Sequence, residues 1–257
     1  MQPTTTADVA VLLTHDPAAG ARRALLTYYD DATGERVELT APALGSWAAR
    51  TAALLRHGCR LDRGARAAVL LPPHWQTAAI LLGAWSAGIA VAYRSWATAG
   101  LAPVGPGMDE PLEAVFVSRK RLDSWLETVP AAHQRFVLGL APGGAPMAEV
   151  PAGYRDYVTE VGRYADLPPE YESIGRDDAA SPDGTSYREW AALAGSIADS
   201  LGLRAGDRLL VDVAEHEEPV TWLLAPLVVG ASVVLCANLD RSAVDARIAA
   251  EGVTHVL

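Results

Sequence analysis

An internal repeat constrains this chain more than any other feature. Residues 46–58 place Trp47, Ala48, Thr51, Leu54 and Leu55 at helical spacing, and Gly58 follows as a stop. A turn, Leu61-Asp62-Arg63-Gly64, leads into Ala67-Ala68-Val69-Leu70-Leu71, whose continuous apolar run predicts a buried strand ended by Pro72-Pro73. A second helix is predicted over residues 74–86, closed by Gly88, and Ile89-Ala90-Val91-Ala92-Tyr93 reads as the next strand. The series starts again at Thr185. Tyr187, Trp190, Leu193, Ile197 and Leu201 give the helix, Leu203-Arg204-Ala205-Gly206-Asp207 the turn, and residues 208–213 the strand. Residues 219–229 give the second helix, Gly230 its stop, and residues 231–236 the closing strand. Gly206 lies 142 residues after Gly64 and Gly230 142 after Gly88, while Trp190 lies 143 after Trp47. Residues 112–117 and 252–257 end the two copies alike.

Helices alternating with short apolar strands predict an α/β fold: two similar αβ subdomains, each with a mainly parallel sheet flanked by helices. The boundaries expected are residues 1–141 for the first subdomain, 142–182 for a connector rich in Pro, Gly and acidic residues, and 183–257 for the second. Residues 24–29 and 35–40 flank Asp30-Asp31-Ala32-Thr33-Gly34 and predict a β-hairpin, grouped with the first subdomain by its position. Residues 101–111 read as a loop, and residues 154–164 predict a helix inside the connector.

The chain has 257 residues, enough for a substantial core, and a net charge of -10. Nucleic-acid binding needs a clustered basic face, which dispersed arginines do not provide; Arg119-Lys120-Arg121 is a single short run, expected to be a solvated helix start. Apolar runs are interrupted at Pro226, Gly230 and Ser232, so no stretch of roughly 20 residues is expected to span a membrane, and no leader peptide is evident. Cys59 and Cys236 have no metal-ligand spacing and are expected to be reduced thiols of a cytoplasmic protein. Trp85, Trp96, Trp125 and Trp222 read as packing residues.

Several of these segments resemble adenylate-forming (AMP-binding, acyl-CoA synthetase-like) enzymes. Glu38-Leu39-Thr40, the helix after it, and Leu61-Asp62-Arg63-Gly64-Ala65-Arg66-Ala67-Ala68-Val69-Leu70-Leu71-Pro72 are similar to that family's opening series. Leu82-Gly83-Ala84-Trp85-Ser86-Ala87-Gly88-Ile89-Ala90-Val91 looks like its next helix-to-strand passage, and residues 203–210 resemble the stretch after its phosphate loop. The resemblance covers most of residues 22–257 and implies the front portion of the family's large domain, itself built from two similar α/β subdomains.

The departures are sharper. The family's phosphate loop has the form Thr-Ser-Gly-Thr-Thr-Gly-x-Pro-Lys-Gly, in which glycines bring backbone N–H groups to phosphate oxygens and a lysine adds charge. The stretch in that position is Asp177-Asp178-Ala179-Ala180-Ser181-Pro182-Asp183-Gly184-Thr185-Ser186, with one glycine, no lysine and three aspartates. Lys120 is the only lysine and sits in the other half. The resemblance places the family's later nucleotide-binding segments and its C-terminal domain with the catalytic lysine beyond the residues it covers. They are therefore expected to have no counterpart here, no catalytic residue is transferred, and neither a cofactor nor a metal is expected.

Two candidate sites remain. Either Ser181, Gly184, Thr185 and Ser186 hold a small anion at a helix start, or Ser181, Asp183 or Thr185 merely caps that helix. Asp212-Val213-Ala214-Glu215-His216-Glu217-Glu218 follows a strand and precedes a helix, where open α/β sheets present ligands; His216 and Glu217 are its candidate binding residues. The carboxylates of this run and its histidine could serve a divalent cation, and acidic residues at a helix start are also favoured by its dipole. His74 is the equivalent of His216 in the first copy, expected on the surface beside a helix start. The leading expectation is a degenerate acyl-CoA synthetase-like protein without adenylation activity that binds a small molecule or a protein partner between its subdomains. The alternatives are an acid-activating enzyme completed by a separate chain, and an unrelated enzyme using the Glu215-His216-Glu217 loop.

Overall fold

The computed structural model describes residues 24–98, 112–124, 128–167 and 174–257. The loop expected over 101–111 and Trp125 lie outside the described residues. Contacts divide the chain into two units, one of residues 1–45, 73–75 and 188–257 and the other of residues 46–72 and 76–187. Among the described residues each unit holds one five-stranded sheet. Among them, too, no helix is long and apolar enough to cross a membrane.

In chain order the strands and helices are β1 (Ala24–Asp30), β2 (Glu35–Thr40), α1 (Ala41–Ala53), β3 (Arg66–Leu70), α2 (Trp75–Ser86) and β4 (Ala90–Tyr93). There follow β5 (Leu112–Ser118), α3 (Arg119–Leu122), β6 (Ala132–Leu138), β7 (Arg155–Asp156) and α4 (Tyr157–Gly162). The last part has α5 (Tyr187–Ser200), β8 (Arg208–Asp212), α6 (Ala225–Val229), β9 (Ser232–Ala237), α7 (Val244–Glu251) and β10 (His255–Val256). One sheet has the order β4-β3-β5-β6-β7 and is parallel throughout; the other has the order β10-β8-β9-β1-β2, with only β1 and β2 antiparallel.

The glycine turns set the same local geometry in both sheets. Gly64 and Gly206 have φ of +86° and +88°, and Gly88 and Gly230 have +72° and +78°, a region open to glycine at little cost. Gly64 N donates to Gly88 O at 2.8 Å, and Gly206 N to Gly230 O at 3.0 Å. These bonds start the parallel ladders in one register: Arg66 opposite Ala90 in β3/β4, and Arg208 opposite Ser232 in β8/β9. The third strand, β5 or β10, then pairs on the other side of β3 or β8.

In the sheet led by β3, the alternation of Ala68 and Leu70 with Val115 and Val117 fills one face, onto which Leu122, Val129 and Tyr154 pack. Behind α1 the backbone of α2 comes so close that a Cβ on Gly83 would lie 2.5 Å from Ala48 O and 2.6 Å from Thr51 Cβ. Thr51 holds the adjoining contact, its hydroxyl 2.7 Å from the hydroxyl of the buried Tyr157. The segment expected as a connector is partly ordered into this unit: β7 pairs with β6, and α4 begins with the Asp156 carboxylate accepting from Thr159 N at 2.7 Å.

Two expectations are corrected here. The hairpin grouped with the first subdomain belongs to the other sheet, because β1 pairs parallel to β9 from Leu26 opposite Val233 to Asp30 opposite Ala237. The basic run is not a solvated helix start throughout: Arg121 is buried, donating to Arg94 O and, at 2.9 Å, to Ser95 O, with its guanidinium over the ring of Trp96. Trp85 and Trp222 are buried as expected of packing residues, whereas Trp96 is 42% exposed. Cys59 and Cys236 are buried free thiols.

Polar clamps join α7 to the hairpin. The Glu251 carboxylate accepts from Tyr29 Oη at 2.6 Å, Arg36 Nη2 at 2.7 Å and Arg208 Nη2 at 2.6 Å. Arg208 is buried and also donates to Ala24 O, Thr27 Oγ1 and Ser232 Oγ. One helical turn earlier, Arg247 pairs with Asp31 at 2.6 Å and lies 4.2 Å from the centre of the Tyr29 ring. Burial alone would raise the Glu251 carboxyl, but the bonds from Tyr29, Arg36 and Arg208 outweigh it and hold the pKa down to about 2.

Two outcomes follow for stability. Gly83→Ala forces a backbone shift between α1 and α2 and should cost about 1–3 kcal/mol in a denaturant titration, whereas Gly195→Ala, with open space at its Cβ, should not destabilise. The Glu251 clamp is complete above the ordinary carboxyl value of 4.5 and is lost as pH falls toward about 2. Glu251→Ala should therefore lower stability by about 3 kcal/mol at pH 7 and flatten the acid limb in that window.

Candidate functional site

The phosphate-loop position is a short closed hairpin. Ala179 and Ser186 form an antiparallel bridge, and Ala180 N and Ser181 N both donate to Thr185 O, at 2.8 and 3.2 Å. Gly184 N returns to Ser181 O at 3.0 Å, which needs the φ of +91° that Gly184 adopts. Thr185 N donates to the Asp183 carboxylate at 3.0 Å, and Tyr187 N to Asp178 O at 3.1 Å. The hairpin is moored outward as well, since Ala180 O accepts from Trp85 Nε1 at 3.2 Å and from Val91 N at 2.8 Å. Asp178 is held by Arg63 and by Gly175 N. Ser181, Gly184, Thr185 and Ser186 thus come together in one turn. Its N–H groups at 180, 181, 184 and 185 point to acceptors of the turn itself.

The second candidate lies in the other unit, at the carboxyl end of β8. Glu215 N and His216 N donate to Asp212 O at 3.2 and 3.1 Å, and the Asp212 carboxylate accepts from Ala214 N, so the chain turns sharply off the strand. Trp222, fully buried, donates from Nε1 to Glu217 O at 3.0 Å and fixes the far end of this segment. A cavity of about 500 Å³ opens here, with Leu210, Val244 and Val256 as apolar lining. Its polar lining comes from Asp212, Glu215 and His216 at the end of β8 and after it, and from Asp245 at the start of α7 and Arg241 in the turn before it. Glu215 and Arg241 pair at 3.2 Å, and both are exposed.

The cavity's place follows from topology. Read as β9-β8-β10, the chain leaves β8 for a strand on one side and then returns past it to a strand on the other. Ligands of open α/β sheets bind outside the carboxyl ends of strands at such a switch point. His216 lines the cavity and Glu217 does not. Among the described residues no three His, Cys, Asp or Glu side chains are arranged to hold a metal ion.

His74, the residue expected to correspond to His216, has an opposite environment. It is buried rather than on the surface, edge-on to Tyr28 with ring centres 4.3 Å apart. Burial pushes its pKa down to about 3, against a smaller upward pull from Asp30. The missing signal was the hairpin: Tyr28 covers His74 only because β1 inserts into this unit. Arg241, Val244 and Asp245 were missed as cavity residues, because nothing in their local pattern distinguishes them from a helix start.

No protein-family model matches the chain. A curated protein of Mycobacterium tuberculosis (strain ATCC 25618 / H37Rv), the TIGR03089 family protein, is 38% identical over 249 residues, covering 90% of each chain. The chain belongs to the TIGR03089 family. Its fold is that of the N-terminal large-domain portion of acyl-CoA synthetases. An acyl-CoA synthetase of Brucella canis matches with a TM-score of 0.71 at 20% identity over 97% of this chain and 46% of its own. The acetoacetyl-CoA synthetase of Streptomyces lividans matches with a TM-score of 0.70 at 19% identity, over 95% of this chain and 41% of its own. The N-terminal domain of FACL13 from M. tuberculosis matches with a TM-score of 0.67 at 18% identity, over 96% of this chain and 61% of its own. The chain thus spans about half the length of the solved synthetases it matches.

The buried, neutral His74 sets a pH window. Above its ordinary value of 6.5 neither folded nor unfolded chain carries the proton; below it the unfolded chain binds the proton first. Stability should fall by about 1.4 kcal/mol per pH unit below pH 6.5 from this group alone. His74→Leu should reduce that slope between pH 6.5 and 5 in urea denaturation.

Proposed function

We propose that this chain uses the adenylate-forming fold for binding a small molecule and does not form adenylates. The observation that carries this reading is the hydrogen bonding of the loop at 178–187. A phosphate cradle works by leaving several backbone N–H groups of a glycine-rich loop unbonded and aimed at the phosphate. Here Ala180, Ser181, Gly184, Thr185 and Tyr187 all donate within the loop itself. Releasing them means breaking each bond, at about 1 kcal/mol apiece, before any phosphate is held. The charges oppose the ligand too: Asp177, Asp178 and Asp183 occupy the loop, and Lys120, the sole lysine, belongs to α3. Carboxylates beside a triphosphate raise its energy wherever water does not screen them. Ser181, Gly184, Thr185 and Ser186 then have the role of shaping a turn, and the ligand site passes to the cavity beside His216.

A thermal-shift titration with Mg-ATP, AMP and a non-hydrolysable acyl-adenylate mimic tests this reading. Ligand at roughly 100 times its Kd stabilises by about 2.7 kcal/mol, several degrees in melting temperature for a chain of this size. No shift is expected with any of the three in a cooperatively melting sample. A shift with the nucleotides would overturn the reading and favour an acid-activating enzyme completed by another chain.

A further inference from the structure

We infer that the cavity at the carboxyl ends of β8 and β10 takes a small organic cation, an ammonium or guanidinium carried on an apolar body. The inference rests on the non-adenylating, small-molecule-binding reading above and names its ligand class. Three features combine. The first is place and size: about 500 Å³ at the switch point of a parallel sheet, within the range of small-molecule sites. The second is the floor. Leu210, Val244 and Val256 line it, and Val256 is 57% exposed, so an alkyl or aryl body would take apolar surface out of water.

The third is the sign of the polar wall, together with the way one of its charges is already used. Asp212 at the end of β8 and Asp245 in α7 both line the cavity, and Glu215 adds a third carboxylate. Against them, among the described lining residues, stands one permanent cation, Arg241, and its guanidinium is engaged by Glu215 at 3.2 Å. The lining therefore already receives a guanidinium from the chain itself, and Asp212 and Asp245 add two further carboxylates to the same wall. A carboxylic acid entering here would meet net repulsion; an amine would not. The carboxylates lie at a partly open mouth, so the preference depends on ionic strength.

The test uses three ligands of equal chain length and different charge: hexylamine, 1-hexanol and hexanoate, titrated by calorimetry at pH 7.5 and low salt. Hexylamine should bind about tenfold or more tightly than hexanoate, with hexanol between them, and added salt should narrow the gap. The double variant Asp212→Asn, Asp245→Asn should remove the amine's advantage while keeping the wild-type melting temperature, because the side-chain amide introduced by the first substitution retains an oxygen that can accept from Ala214 N. Hexanoate binding as tightly as hexylamine would overturn the inference. So would no heat with hexylamine up to about 10 mM, or an amine preference unchanged in the folded double variant. Those outcomes leave the nucleotide result untouched, so failure of the cation site is separable from failure of the non-adenylating reading.

Discussion

The hydrogen bond from one left-handed glycine to another, Gly64 to Gly88 and Gly206 to Gly230, is the constraint on which each sheet depends. It fixes where the second strand begins relative to the first. A slip of one residue would turn every Val and Leu of a strand to the opposite face. With the register fixed, the third strand can pair only on the free side of the first, and the order β4-β3-β5 or β9-β8-β10 follows. In the second case that order creates the switch point at which the cavity opens. The cavity's place thus descends from turn geometry rather than from any single reactive residue.

The same backbone logic separates fold from chemistry in the phosphate-loop position. A loop can present its N–H groups to a ligand or bond them internally, and a four-residue turn closed by Gly184 bonds them internally. Glycine is present at that position, but its left-handed conformation serves the turn. The scaffold beneath is unaffected, since Trp85 and Val91 bind the loop through Ala180 O whichever way the N–H groups face.

Much of the architecture was legible in the sequence because it is local. Helix periodicity, the Leu-x-x-Gly turns and the apolar strands all act over a few residues, and the α/β class with parallel sheets follows from them. The sequence did not show that β1 pairs with β9, some 200 residues away, because a strand carries no local mark of its partner. That pairing also buries His74 under Tyr28 and brings Tyr29 and Arg36 to Glu251, so those environments were hidden with it. Arg121 looked like surface charge because its acceptors, the carbonyls of Arg94 and Ser95, lie far back in the chain. Of the candidate site, His216 was readable from its place after a strand. Arg241 and Asp245 were not, being brought in by α7 and the turn before it.

The N–H groups of Ala180, Ser181, Gly184 and Thr185 are bonded within their own turn, and the proposed function requires that they do not serve a nucleotide. Amide-resolved NMR of these four groups, with and without Mg-ATP, reads that directly. Slowed hydrogen exchange without ligand, and resonances unmoved by millimolar Mg-ATP, are the predicted result. Rapid exchange of these amides alone, or shifts concentrated on them as nucleotide is added, would contradict the account.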